Sequence, residues 1–247
     1  MRPSVGLIGH GRFGRLAAWY IATAADVVVH DPRGGGTAAA RGRIRRGTLA
    51  EAAAQPTVIL AVPVSSLRQL LYRLRARLNP GTLVVDVCAV KVLPLRWMTE
   101  ILPPTVSVLG THPLFGPDSD TGSLRGQRIV LCPARIAPAR LRALRRVARD
   151  AGLRVHLMSP RAHDRLMADT LLASQYAGRL VAAAGISRHA WSTGSYEHLK
   201  ALVAIAENDS LQLFRDMMRY NPYGGKVVRA LGRAHRRISR AAPGKSH

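Results

Sequence analysis

The sequence predicts an α/β fold in which a parallel β-sheet domain precedes a smaller all-helical domain. Short apolar runs rich in valine, leucine and isoleucine recur through the first part of the chain, and segments with helical apolar spacing separate them. This alternation is typical of a parallel sheet whose strands are joined by crossover helices. From residue 159 onward the helical spacing continues without any strand pattern. We therefore predict one domain at 1–158 and a second at 159–247.

Each predicted element follows from a local signal. Continuous apolar runs indicate buried strands, and apolar residues three or four positions apart indicate helices. The predicted strands are residues 5–8, 27–29, 58–62, 82–87, 106–110, 128–132 and 154–157. The predicted helices are residues 15–23, 65–78, 138–151, 160–184, 199–206, 210–220 and 227–240. Ser159-Pro160 is a helix start, because serine caps a first turn and proline fits the first helical position.

The composition indicates a globular cytoplasmic protein and argues against several other classes. Apolar residues make up 47% of the chain, yet none of the apolar runs reaches the roughly 18 residues that a membrane span needs. Cys88 and Cys132 lie in apolar runs, so we expect buried thiols in a reducing compartment. The formal net charge of +23 comes from arginines spread along the chain, with only 5% aromatic residues. This pattern argues against nucleic-acid binding, although the charge would favour anionic ligands. No metal site is predicted.

A glycine motif after the first predicted strand points to a dinucleotide. The motif is Gly9-His10-Gly11-Arg12-Phe13-Gly14; a helix follows it, and Asp31 closes the second strand. This arrangement is typical of a Rossmann-type domain, in which the glycines let the pyrophosphate approach the helix. Asp31 would bind the ribose hydroxyls and favour NAD, whereas Arg33 could meet the additional phosphate of NADP. The expected cofactor-binding residues are Gly9, Gly11, Arg12, Phe13, Gly14 and Asp31, with Ala61, Val62 and Pro63 after a later strand.

Two further segments carry a family resemblance. Residues 86–91 read Asp-Val-Cys-Ala-Val-Lys, and residues 110–118 read Gly-Thr-His-Pro-Leu-Phe-Gly-Pro-Asp. With the glycine motif, they resemble the prephenate/arogenate dehydrogenase family of tyrosine biosynthesis, which typically shows Ser-Val-Lys after a strand and a His-Pro-Met-Phe-Gly-Pro loop. The resemblance continues in residues 126–133, 163–165, 214–216 and 221–222, and it covers nearly the whole chain.

The resemblance implies oxidative decarboxylation of a small anionic cyclohexadienol. Hydride would pass from the ring carbon that bears the hydroxyl to NAD, the hydroxyl proton would pass to a base, and loss of carbon dioxide would make the ring aromatic. His112 matches the catalytic histidine of the family, and a neutral imidazole suits a base at cellular pH. The resemblance assigns substrate contacts to Ala89, Lys91, Gly116, Pro117, Asp118, Gln175, Arg179 and Gly194. It also implies a homodimer formed through the helical domain.

The chain departs from the family pattern at three positions. Ala89 replaces the serine before Val-Lys, Gln175 replaces a histidine of the helical domain, and Ala201 replaces the arginine that holds a carboxylate in prephenate-specific members. Loss of a guanidinium removes a strong charge-assisted contact. Residues 196–197 and 207–210 look more like those of arogenate-using members. Arogenate is therefore the first choice of substrate, with prephenate and an amino-substituted prephenate as alternatives.

Two other functions stay open at this point. β-Hydroxyacid dehydrogenases and imine reductases commonly use a lysine on the first helix after the domain boundary, and the lack of any lysine between Lys91 and Lys200 argues against them. A non-catalytic relative that binds nucleotides or nucleic acid is the second alternative. His163 and Asp164 lie at the start of a predicted helix, where we interpret them as structural groups that cap the helix or complement its dipole.

Overall fold

The structure is a computed structural model that describes residues 2–34, 42–186 and 191–241. It divides into two compact units, Met1–His163 and Asp164–His247. The strands of the first unit are β1 (Ser4–Ile8), β2 (Asp26–His30), β3 (Ile44–Arg46), β4 (Thr57–Leu60), β5 (Leu83–Asp86), β6 (Ser107–Pro113), β7 (Arg128–Arg135) and β8 (Arg154–Leu157). Its helices are α1 (Arg12–Ile21), α2 (Leu49–Ala53), α3 (Val64–Leu74), α4 (Val92–Ile101) and α5 (Pro138–Asp150).

Within the described residues, the strands form one eight-stranded sheet in the order β3-β2-β1-β4-β5-β6-β7-β8. The strands from β1 to β6 all run in the same direction, which confirms the predicted α/β fold. The predicted parallel sheet contains one antiparallel pair: β7 pairs antiparallel with β6, and β8 runs parallel to β7. The reason is the connection: the chain returns from β6 to β7 through a loop, and an antiparallel pair needs no crossover helix.

The strand order reverses at β1: the chain continues to β2 and β3 on one side of this strand and then to β4 and the later strands on its other side. In open α/β sheets, ligands bind at such a reversal, outside the carboxyl ends of the strands. The apolar core holds these ends in place. One cluster joins β1 and β2 to α1 through Leu7, Ala18, Ala22, Val27 and Val29. A second cluster joins β5, β6 and β7 through Leu83, Val85, Leu109 and Leu131, with Leu141 and Leu144 of α5 packed against it.

The sequence analysis missed three short elements of the first unit. The strand β3 contributes only three residues, two of them arginines, so it lacks the apolar run that indicates a buried strand. The helix α2 has five residues and starts with a capping box between Thr48 and Glu51, a signal that was readable in the sequence. The helix α4 contains Pro94, which is tolerated because it lies in the first helical turn.

The described part of the second unit is helical, as predicted. The helix α6 (Pro160–Met167) starts in the first unit and continues as a π-helical turn (Ala168–Leu172) into α7 (Ala173–Ala183). The helices α8 (Gly194–Asn208), α9 (Leu211–Tyr220) and α10 (Gly224–Ala241) follow. Thr193 and Ser210 cap α8 and α9 by accepting the backbone amides of Tyr196 and Leu213.

Two expectations about the chain as a whole can be checked on the fold. Cys88 and Cys132 are both buried and free of any disulfide, as predicted. A search of the described helices found none with the length and apolar character required to cross a lipid bilayer.

Candidate active site

The glycine motif forms the turn between β1 and α1. Gly9 has a φ of +100°, and a Cβ added there would collide with the carbonyl group of Ala61. A Cβ on Gly14 would collide with the carbonyl oxygen of Gly9, whereas one on Gly11 meets no atom within 4 Å. Folding therefore requires Gly9 and Gly14, while Gly11 leaves open space in front of α1. The backbone N–H groups of this first turn suit a phosphate.

The replacement Gly11→Ala is expected to leave the melting temperature unchanged and to weaken NAD⁺ binding about tenfold, equivalent to 1.4 kcal/mol. The added methyl group fits the protein but occupies the space through which a pyrophosphate would approach. Isothermal titration calorimetry and thermal denaturation measure the two effects. The replacement Gly14→Ala is the contrast, since its collision with Gly9 should lower the melting temperature itself. Unchanged NAD⁺ affinity in Gly11→Ala would contradict a phosphate at this turn.

Asp31 follows β2 beside the glycine turn. Its carboxylate accepts the backbone amides of His10 at 2.7 Å and Arg33 at 2.9 Å, and the Arg33 Nε lies 3.7 Å away. Burial would raise the pKa of Asp31, but these hydrogen bonds and the Arg33 charge lower it overall. Asp31 therefore carries a negative charge where β2 ends.

The other predicted cofactor residues lie on the same edge of the sheet. Ala61, Val62 and Pro63 directly follow β4, and the amide of Ala61 donates to the carbonyl of Ile8 at 2.7 Å. This bond extends the pairing of β1 with β4 up to the glycine turn. Arg12 and Phe13 are the first two residues of α1.

His112 lies inside β6 and not in a loop, because the strand continues to Pro113. Its side chain is buried, and its Nδ1 lies 2.9 Å from Nε2 of His163, which is also in the first unit. The two rings meet edge to face with centroids 5.1 Å apart. One ring nitrogen donates and the other accepts, which fixes the orientation of the His112 ring.

The surroundings of His112 favour its neutral form. Burial lowers the pKa of His112 well below 6.5, and the charge of Lys91 acts in the same direction. A neutral imidazole has one nitrogen with a free lone pair, so it can accept a proton or a hydrogen bond at cellular pH.

A buried ion pair contacts the strand next to His112. Lys91 and Asp86 have no exposed side-chain surface and are in direct contact. The Lys91 ammonium also donates to the carbonyl oxygen of Thr111 at 2.7 Å, next to His112 in the chain. Burial raises the pKa of Asp86, and the Lys91 charge opposes this rise. Sequence analysis expected Lys91 to contact substrate, but its amino group is instead enclosed and holds the strand that carries His112.

The remaining predicted substrate residues of the first unit lie on two segments. Gly116, Pro117 and Asp118 belong to the loop between β6 and β7, residues 114–127, which we call the β6–β7 loop. Asp118 forms an ion pair with Arg12 at 2.6 Å. Ala89 is buried between β5 and α4.

In the second unit, Gln175 and Arg179 lie one helical turn apart on α7, and Gly194 is the first residue of α8. The Gln175 amide donates to the Asp209 carboxylate at 2.6 Å, and the Arg179 guanidinium donates to the Asp209 carbonyl at 2.8 Å. Arg179 also lies over the ring of Phe214, 5.2 Å from its centroid. Gln175 Oε1 and Arg179 Nε are buried and have no hydrogen-bond partner among the described residues.

His163 does not cap α6, although its position at the start of that helix suggested a capping group. The cap is Ser159, whose hydroxyl accepts the amide of Ala162 at 3.2 Å. The His163 ring faces His112, which lies 51 positions earlier in the chain. No local pattern reveals such a pair. The only signal was that two histidines fall in segments that both carry the family resemblance.

Known proteins are similar to this chain in sequence and in fold. A family model described as "Prephenate dehydrogenase, nucleotide-binding domain" matches residues 38–157. Arogenate dehydrogenase 2, chloroplastic, from Arabidopsis thaliana is 31% identical over 176 residues, which are 69% of this chain and 49% of the relative. Prephenate dehydrogenase from A. aeolicus, solved in complex with hydroxyphenyl propionate and NAD⁺, is 22% identical with a TM-score of 0.75, over 97% of this chain and 90% of that one. Synechocystis arogenate dehydrogenase is 19% identical with a TM-score of 0.67, over 96% of this chain and 90% of that one.

The two solved structures are similar in fold over nearly the whole chain, whereas the sequence matches are partial. The chain spans 49% of the first Arabidopsis relative and 27% of a second one, arogenate dehydrogenase 1. The matched residues include the strand that carries His112. On these matches, the chain carries the nucleotide-binding domain of the prephenate dehydrogenase family at residues 38–157 and is similar in sequence to arogenate dehydrogenases.

Proposed function

We propose that this chain catalyses the NAD(P)-dependent oxidative decarboxylation of a cyclohexadienol, with arogenate as its first substrate. The observation that carries the proposal is the buried, neutral imidazole of His112, paired with His163 at the sheet edge where the glycine turn lies. The Arabidopsis relative is an arogenate dehydrogenase and the A. aeolicus structure is a complex with NAD⁺, which supports the substrate and cofactor classes.

The dinucleotide would lie at the carboxyl edge of β1, β2 and β4. Gly9 and Gly14 make the close turn, and the first turn of α1 offers its N–H groups to the pyrophosphate. The Asp31 carboxylate has lone pairs for the ribose hydroxyls, which favours NAD, and Arg33 can meet the phosphate of NADP. A cofactor held by these residues would supply the acceptor for the substrate hydride.

His112 would act as the base that takes the substrate hydroxyl proton. For Nε2 to accept a proton, the Nδ1 of His112 must carry the hydrogen and donate it to Nε2 of His163. His163 therefore acts as a positioning residue that selects the tautomer, in the way a hydrogen-bond partner orients other catalytic histidines. The enclosed pair of Lys91 and Asp86 holds the neighbouring Thr111 and disfavours a protonated resting state of His112.

The groups around Gln175 support a substrate with an amino-acid side chain. Gln175 Oε1 needs a donor and Arg179 Nε needs an acceptor, since a buried polar atom without a partner costs about 1–3 kcal/mol. An ammonium group supplies the donor, and a carboxylate supplies the acceptor. The Asp209 carboxylate beside Gln175 adds a negative charge that further favours an ammonium group. Arogenate carries both groups, whereas prephenate has a keto group in place of the amine.

The experiment is a substrate panel of arogenate, prephenate and an amino-substituted prephenate, each with NAD⁺ and NADP⁺. The replacement Asp209→Asn is expected to lower the arogenate-to-prephenate ratio of kcat/KM by about 10- to 100-fold, the value of a charge-assisted hydrogen bond. The matched control is Asp169→Asn, which makes the same charge change at an exposed position of the same unit.

A wild-type enzyme that prefers prephenate would contradict the choice of arogenate but leave the reaction class intact. Binding of NAD⁺ without turnover of any panel member would favour the non-catalytic relative instead.

We further propose a cytoplasmic homodimer with a dinucleotide domain at 1–158 and a helical domain at 159–247. Of the eleven large apolar side chains exposed among the described residues, seven belong to the second unit: Leu166, Leu180, Ile186, Trp191, Ile205, Leu211 and Ile238. Exposed apolar groups at this density support an interface on the helical domain. The two buried cysteines, which form no disulfide, fit a reducing compartment.

A further inference from the structure

The β6–β7 loop is connected to the dinucleotide-binding helix by two carboxylates. Asp118 pairs with Arg12, the first residue of α1, at 2.6 Å, although the two are 106 positions apart. Asp120 accepts the hydroxyl of Tyr20, near the end of the same helix, at 2.5 Å. The loop starts directly after Pro113, the last residue of the strand that carries His112. One helix thus contacts the segment that follows the proposed base.

The loop presents Asp118 from a compact turn. The amide of Gly116 donates to the Ser119 hydroxyl, and the amide of Ser119 donates back to the Gly116 carbonyl, both at 3.0 Å. The hydroxyl of Tyr20 stays protonated, because burial and the contact with Asp120 raise its pKa to about 12. The Tyr20 contact therefore anchors the loop independently of the charge on Arg12.

Arg12 is the first residue of α1, at the end of the helix that a pyrophosphate would contact. A guanidinium binds carboxylates and phosphates through the same fork of N–H donors. The side chains of Arg12 and Asp118 are 43% and 22% exposed, and ion pairs with such exposure are weak. A doubly charged pyrophosphate can therefore replace a single carboxylate as the partner of this arginine.

We propose that Asp118 competes with the pyrophosphate of the bound dinucleotide for Arg12, so that Asp118 lowers dinucleotide affinity and links cofactor binding to the β6–β7 loop. Asp118 is then an affinity-determining residue for the cofactor and not a substrate contact. This inference rests on the proposed function, because it requires that the chain bind a dinucleotide at the glycine turn.

The test measures Kd for NAD⁺ by isothermal titration calorimetry in the full chain. Asp118→Asn is expected to bind NAD⁺ roughly three- to tenfold more tightly, because it removes a competing negative charge. In the Arg12→Gln background the same replacement should change Kd by less than about twofold, since the shared guanidinium is gone. The gain should also shrink at high ionic strength, where exposed charges are screened.

The matched control is Asp150→Asn, which removes an exposed aspartate that pairs with Arg146 on α5, in the same unit. If Asp118→Asn binds NAD⁺ no more tightly than Asp150→Asn, or gains equally with and without Arg12, the competition is refuted while the proposed function stands. A wild-type chain that binds no NAD⁺ would overturn the proposed function itself, and this inference with it.

Discussion

The replacement His112→Asn is expected to lower kcat by about 10²–10⁴-fold, the contribution of a positioned general base. Asparagine preserves a polar side chain in β6 but supplies no nitrogen that can take up the substrate proton. NAD⁺ affinity should change little, because His112 is separate from the glycine turn that would hold the pyrophosphate. Steady-state kinetics with arogenate and calorimetry with NAD⁺ measure the two quantities.

The matched control is His156→Asn, which replaces an exposed histidine of β8 in the same unit. The pH profile gives a further check, because kcat/KM reports the pKa of the free enzyme. The pKa of His112 is lowered well below 6.5, so the acid limb assigned to this base should lie below pH 6.5. Wild-type turnover in His112→Asn would show that another group accepts the proton.

The replacement Lys91→Met is expected to destabilise the fold by about 3–5 kcal/mol, because it leaves Asp86 buried and charged without its partner. For a chain of this size, that loss corresponds to a fall in melting temperature of roughly 6–20 °C. Thermal denaturation followed by circular dichroism measures it. The double replacement Asp86→Asn/Lys91→Met should recover much of the loss, since no unpaired charge then stays in the interior.

Lys200→Met is the control, because Lys200 is partly exposed and pairs with Glu197 on the surface of α8. It should leave the melting temperature nearly unchanged. Equal effects of the Lys91 and Lys200 replacements would mean that the buried pair does not stabilise the fold. If the double variant Asp86→Asn/Lys91→Met folds, comparing its kcat with that of the wild type measures how much the charge of Lys91 contributes to the function of His112.

The sequence predicted the fold well where a local pattern is strong. All seven predicted strands are strands in the structure, and the glycine motif formed the expected turn at Gly9 and Gly14. Prediction was poorer where tertiary pairing decides. Nothing within residues 128–135 distinguishes a parallel from an antiparallel strand, because direction depends on which neighbour the strand meets. The three residues of β3 form a strand only because β2 offers them an edge.

The candidate site was predictable in its members but not in their contacts. His112 was identified from its motif, yet its partner His163 lies far away in the chain and became visible only in three dimensions. The family resemblance placed Lys91 at the substrate, whereas the structure buries its side chain completely, which is rare for a lysine unless it is paired. Asp86, five positions earlier in the chain, is the partner of Lys91. The spacing of the two residues in the sequence does not show that both side chains are buried together.

The π-helical turn at Ala168–Leu172 has a consequence for how this chain can change over evolution. A π-turn holds one residue more than an α-turn, so deleting one residue from it would restore regular winding while α7 keeps its phase. Gln175 and Arg179 would then still point at Asp209. A deletion within the first regular turn of α7 would instead rotate every later residue by about 100°. The π-turn is therefore the place in this helix where the chain can lose one residue and keep the side chains beyond it in position.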